Sequence, residues 1–198
     1  MKILSYRRQV IADHSSTSYL FYSPKRLTKA ATAVVSELSS HVDVGEHTAE
    51  ITYHGDFADL GDARRKKFLE YYDVEVRESY DWWDITVMLE TEKLPDLKAV
   101  TQHEEADGES ALAFDERGKR LCIQFSSFHL DYDACYGTFG ENVMAGLAKL
   151  ALDIRKEMYA GRSDALTVMA AYCRGDELPS SSKLSSAAIT LCAILERI

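Results

Sequence analysis

Apolar positions recur in two rhythms along this chain. Up to about residue 136 they come mostly in short runs of period two, broken by turn residues, with two helical segments between them. Beyond it they come every three or four residues. In the first part, Tyr19-Leu20-Phe21-Tyr22 reads as an aromatic strand ending at Ser23-Pro24, a cap and first position that predict a helix start. That helix aligns Leu27, Ala31, Val34 and Leu38, with Ala30 and Val35 beside them. Thr48 to Tyr53 alternates cleanly, with Ala49, Ile51 and Tyr53 facing in. A strand, a helix and a strand at this spacing permit a parallel crossover. A second helix is predicted from near Leu60 to Tyr72. Val74 and Val76 then mark a short strand, and the chain turns between Glu78 and Asp81 into a strand that begins at the tryptophans. Leu112-Ala113-Phe114 and Leu121 to Phe125 flank Asp115-Glu116-Arg117-Gly118, the clearest hairpin signal.

Three helices are predicted in the second part. One follows the capping box Thr138-x-x-Glu141 and carries Val143, Leu147, Leu150, Ile154 and Met158. The next starts at Ser163 and carries Leu166, Met169, Ala170 and Cys173. The last aligns Leu184, Ala188, Leu191, Leu195 and Ile198. The pattern predicts an α+β fold: a mixed or antiparallel sheet of about five to seven strands with two helices, plus a C-terminal layer of three helices. Residues 1–136 form the α+β sheet domain, and 137–198 the helical layer packed on it as one compact unit.

The sharpest feature is Tyr80-Asp81-Trp82-Trp83-Asp84, which holds both tryptophans of the chain between two carboxylates. Adjacent strand residues face opposite ways, so one sheet face cannot bury both indoles. Trp83 shares parity with Ile85, Val87 and Leu89 and belongs to the core. Trp82 shares parity with Asp84, Thr86 and Met88. It is either covered by a second layer or offered to a partner. The apolar stripes of the C-terminal helices need a platform, and this favours one of them lying over the Trp82 face.

The chain is 198 residues long, and its apolar fraction, 46%, supports an ordinary core. A net charge of −9 argues against a general nucleic-acid coat or a polybasic membrane binder. The four cysteines, at 122, 135, 173 and 192, have no zinc-type spacing and read as reduced, buried thiols. The start of the chain has no signal-peptide pattern, and no apolar run reaches the length of a bilayer span. A cytoplasmic protein without membrane contact is expected.

Three polar constellations stand out. In His129-Leu130-Asp131-Tyr132-Asp133, alternate strand residues would bring His129, Asp131 and Asp133 to one face. An imidazole with two carboxylates suits a divalent metal. Yet the apolar parity runs on odd positions through Leu121, Ile123 and Phe125, and on even ones through Phe128, Leu130 and Tyr132. It flips at Ser126-Ser127, where the strand ends or a bulge inserts one residue. Three polar residues at period two also fit a plain solvated edge. His54 and Asp56, at a strand end, could join such a metal set, while Asp59 and Asp62 suit helix capping. Arg64-Arg65-Lys66-Lys67 is the only dense basic run. Its charges fan around a helix, so it suits a solvated face, or contact with nucleic acid or an acidic partner.

There is no nucleophile elbow, phosphate-cradling loop or dinucleotide fingerprint. The chain is 10% aromatic with eleven tyrosines. Rigid aromatic area with a polar tip is characteristic of interfaces. The expectation is a non-catalytic binding or complex-forming protein with a protein partner or a second copy, without a cofactor. Tyr80, Asp81, Trp82 and Asp84 are its candidate surface. The alternative is a metal-dependent hydrolase or nuclease built on the His/Asp cluster. A nucleic-acid partner is not favoured.

Overall fold

The computed structural model describes residues 16–54, 60–80, 82–103, 109–179 and 183–196. Its strands are β1 (Ser16–Tyr22), β2 (Val42–Val44), β3 (Thr48–His54), β4 (Val74–Ser79), β5 (Trp82–Glu90), β6 (Ala111–Arg117) and β7 (Arg120–Phe128). They form one antiparallel sheet in the order β2-β3-β1-β4-β5-β7-β6. The helices are α1 (Lys29–Glu37), α2 (Asp62–Phe68), α3 (Leu97–Thr101), α4 (Tyr132–Phe139), α5 (Val143–Tyr159), α6 (Asp164–Cys173) and α7 (Ser186–Ile194). The α+β class holds, with a C-terminal layer of four helices rather than three.

Local rules explain most of the elements. Trp82-to-Glu90 pairs with β4 through the turn at Tyr80, a hairpin as predicted. Gly118 sits at φ +62° in the β6–β7 turn, a conformation that strains any residue with a Cβ. Helix α5 buries Val143, Leu147, Leu150, Ile154 and Met158, the predicted stripe. Each such side chain contributes about 2 kcal/mol of gross transfer free energy.

Several starts and pairings differ from expectation. The β1-to-β3 connection is not a parallel crossover. After α1 the chain forms β2, which pairs with β3, and β3 returns antiparallel beside β1. Helix α1 starts at Lys29, because the Thr28 hydroxyl caps the Ala31 amide. The Ser23 hydroxyl instead donates to Asp73 Oδ2 at 3.0 Å. On α1 the chain buries Val35 and leaves Val34 exposed. Thr138 lies inside α4 and bonds back to the Ala134 carbonyl, and the α5 cap is Asn142. The final helix ends at Ile194, and Leu195 forms a bridge to Leu130.

The sheet separates two cores. On one face Val74, Val76, Trp83, Ile85, Leu121 and Phe125 meet the C-terminal helices, with α5 crossing β1, β4 and β5. On the other face Tyr19, Phe21, Ile51, Met88 and Cys122 meet Val35, Leu60, Phe68 and Tyr72, from α1, α2 and the segments flanking α2. The layering therefore reverses one expectation: the C-terminal helices lie on the Trp83 face, and not over Trp82.

A polar node ties the layers together at one end of the sheet. Asp73 Oδ1 accepts from Arg155 Nη2 of α5 at 3.0 Å and from Arg120 Nη2 of β7 at 3.3 Å. Arg155 Nε also donates to the Met88 carbonyl at 2.8 Å, and Arg120 Nη1 to the Leu69 carbonyl at 2.6 Å. No helix among the described residues is long and apolar enough to cross a membrane.

Candidate functional site

Trp82 begins β5 on the charged face of the sheet and is 40% exposed, while Trp83, one residue on, is buried. Tyr80, in the preceding turn, is 49% exposed and sits at φ +58°. The Trp82 indole rests on the His129 ring, with centroids 4.2 Å apart and planes at 46°. Trp83 faces the opposite layer, where its Nε1 donates to the Tyr132 hydroxyl at 3.3 Å.

A bulge in β7 brings His129 to Trp82. Between the pairs Trp83↔Phe128 and Ile85↔Phe125, β7 contains one more residue than β5. Ser127 takes φ +57°, and the parity flip seen in the sequence is this insertion. Phe125 and Phe128 consequently both enter the helix-covered core, stacked with centroids 4.3 Å apart. Asp84 pins the bulge: its Oδ1 accepts from the Ser127 amide at 2.8 Å, and its Oδ2 from Arg77 Nη1 at 3.1 Å. The Ser110 hydroxyl donates to the Ser127 carbonyl at 2.7 Å. Asp84, expected at the binding rim, is thus a buried positioning group behind it. Asp81 lies outside the described residues.

His129, Asp131 and Asp133 do not share a strand face. β7 ends at Phe128. Asp131 caps α4, accepting from the Ala134 amide at 3.0 Å, and Asp133 stands in that helix's first turn. His129 is held through its backbone, its amide donating to the Tyr172 hydroxyl at 3.1 Å and its carbonyl accepting from the Glu196 amide at 3.1 Å. His54 ends β3, separated from β7 by β1, β4 and β5 in the sheet order. Asp56 lies outside the described residues. Among the described residues no three His, Cys, Asp or Glu side chains gather in a metal-sized group.

The basic run on α2 splits. Arg65 turns inward and grips Glu75 with both arms, Nε to Oε1 at 2.6 Å and Nη2 to Oε2 at 3.1 Å. Glu75 is 1% exposed. Burial opposes the Arg65 charge, but the Glu75 carboxylate more than offsets it and holds the guanidinium charged. Burial raises the Glu75 carboxyl above its ordinary range, and Arg65 pulls it back only in part. Arg64, Lys66 and Lys67 remain exposed, with Lys67 near Glu70 at 3.5 Å. The four cations therefore do not form one patch.

Beside this pair a cleft of about 230 Å³ opens between α2 and the β5-β7-β6 surface. Arg65, Lys66 and Asp62 line the helix side, Asp115 and Arg117 the hairpin side, with Thr86 and Gln124 among the other lining residues. Sequence reading missed both the pair and the cleft. Glu75 alternates with Val74 and Val76 and so passes for a solvated strand position. Thr86, opposite Glu75 on the next strand, and Met88 are both buried under the same covering.

No known protein family, curated protein or solved structure matches the chain.

Proposed function

We propose that this chain is a non-catalytic binding protein that engages a protein partner, or a second copy of itself, through the aromatic corner of Tyr80, Trp82 and His129. The observation that carries the reading is the placement of Trp82. It is 40% exposed on a strand whose next seven residues are all buried. A large indole on a rigid strand, backed by an imidazole and a pinned bulge, loses little conformational freedom on binding and buries much area. A −9 chain favours partners that present apolar or cationic surface at this corner.

Trp82→Ala is the direct test. Cross-linking in cell extract followed by mass spectrometry, together with solution mass measurement, should show a species lost in this variant and retained in Ile189→Ala, an exposed change on α7. Tm should stay within about 2 °C of the parent, as expected for a partly exposed surface side chain. Unchanged cross-links and unchanged mass would remove the proposal. A large fall in Tm would instead make Trp82 structural.

A further inference from the structure

We propose that the open edge of β6 is a docking strand for a second copy of this chain, the two β6 strands pairing antiparallel about Ala113. β6 stands at one end of the sheet order and β2 at the other. β2 is only three residues long, which leaves little for another strand to pair with. β6 runs for seven residues in unbroken register with β7, without the proline, lysine or bulge that commonly blunts an edge. Gly118 and Lys119 make a two-residue turn, so Arg117 and Arg120 exchange the first ladder bonds and every second pair follows. The amides and carbonyls of Leu112, Phe114 and Glu116 therefore point away from β7. Among the described residues no group bonds to them.

The side chains select the occupant and its register. With Ala113 facing its twin, Leu112 lies opposite the partner's Phe114. The two exchange both backbone bonds, and symmetry repeats the pair. Leu112 is buried in the helix-side core and Phe114 sits half-buried at its margin, so this cross-strand pair extends an apolar layer already present. Further out, Asp115 meets the partner's Ala111, and Arg117 comes level with the partner's Glu109. Glu109 is exposed and makes no ion pair among the described residues. Two opposite-charge pairs thus flank the axis. The neighbouring registers are worse. Centring on Leu112 sets Glu109 against Asp115, and centring on Asp115 sets that carboxylate against its twin. Centring on Phe114 lays Glu116 on Leu112. A strand whose charges complement its own antiparallel image is fitted to a second copy rather than to an unrelated peptide.

Sedimentation velocity of the full chain over a concentration series tests this pairing. A monomer–dimer equilibrium with a micromolar Kd is expected, as for a small interface. Ala113 is exposed, so Ala113→Lys and Ala113→Glu should each fold normally and put like charges at the axis. Each should raise the dimer Kd about fivefold or more, and their mixture should restore pairing to the parent's strength or better. Glu109→Lys, outside the strand, should weaken pairing about threefold, and it decides the matter if an Ala113 variant folds poorly. Trp82→Ala, two strands in from this edge, should leave the dimer unchanged, which separates this contact from the aromatic corner. A parent chain that stays monomeric up to about 200 µM would overturn the proposal. So would a dimer indifferent to both Ala113 variants, or a mixture of the two that recovers no dimer.

Discussion

The two faces of this sheet solve the same problem with different chemistry. The face under the C-terminal helices is apolar: Trp83, Ile85, Val87 and Leu89 alternate in, and the helices meet them with Leu147, Ile154 and Leu166. The opposite face carries Glu75, Arg77, Asp84 and Thr86 on its two central strands, and only part of it is covered. Its buried charges are each paired, Glu75 with Arg65 and Asp84 with Arg77. The difference teaches where to look for stability and where for recognition. A uniformly apolar face gives hydrophobic burial without polar groups to satisfy. A charged, partly open face adds little net stability, because desolvation offsets the attraction. It does supply fixed donors and an exposed aromatic corner.

Substitution of the adjacent tryptophans tests this contrast most sharply. Trp83→Ala should cost about 4 kcal/mol in urea unfolding. Trp82→Ala should cost less than about 1 kcal/mol. Next in size is the Arg65–Glu75 pair. Arg65→Met or Glu75→Met alone should each cost about 3 kcal/mol, because a buried charge loses its partner. The double change should come back close to the parent, and a double-mutant cycle measures the coupling.

The same pair fixes the sign of a pH effect. The folded state holds the Glu75 proton more tightly than the unfolded chain does, since burial raises that carboxyl. Its contribution is therefore greatest below the ordinary carboxylate range and is lost as pH rises through the raised value. A Tm–pH profile of the double variant should lack this fall. Smaller again is Asp84→Ala, which removes the carboxylate from the Ser127 amide and Arg77. A loss of about 2 kcal/mol is expected, and the Trp82–His129 contact should loosen with it. Heteronuclear spectra of the His129 ring would report that movement.

Much of the framework was legible because it rests on periodicity. The parity of Trp83, the bulge at Ser126-Ser127 and the α5 stripe all follow from which positions are apolar. The Trp82 face was misjudged because its covering was assigned by need for a platform rather than by polarity. Glu75, Arg77 and Asp84 mark that face as a poor seat for apolar helices, and Val74, Val76, Ile85 and Leu121 mark the other as a good one. The His129–Asp133 strand reading failed for a local reason: an Asp before Tyr-Asp-Ala is a helix cap with an acidic first turn. The Arg65–Glu75 pair and the cleft were not legible in the same way. They depend on which side of a short helix turns inward and on where the β6–β7 hairpin lies beside it, and neither leaves a periodic trace.

The Asp73 node bears on how the chain can be cut and how it assembles. Its carboxylate collects Ser23 from the end of β1, Arg120 from β7 and Arg155 from α5. Those residues span most of the sequence, so the node exists only after the strands have found their register and the helix has docked. A fragment ending near residue 136 would retain Asp73, Ser23 and Arg120 but lose Arg155, along with the side chains that cover Trp83 and Phe125. Sheet and helices are therefore expected to fold in a single cooperative transition, and neither half should be recoverable as a stable piece.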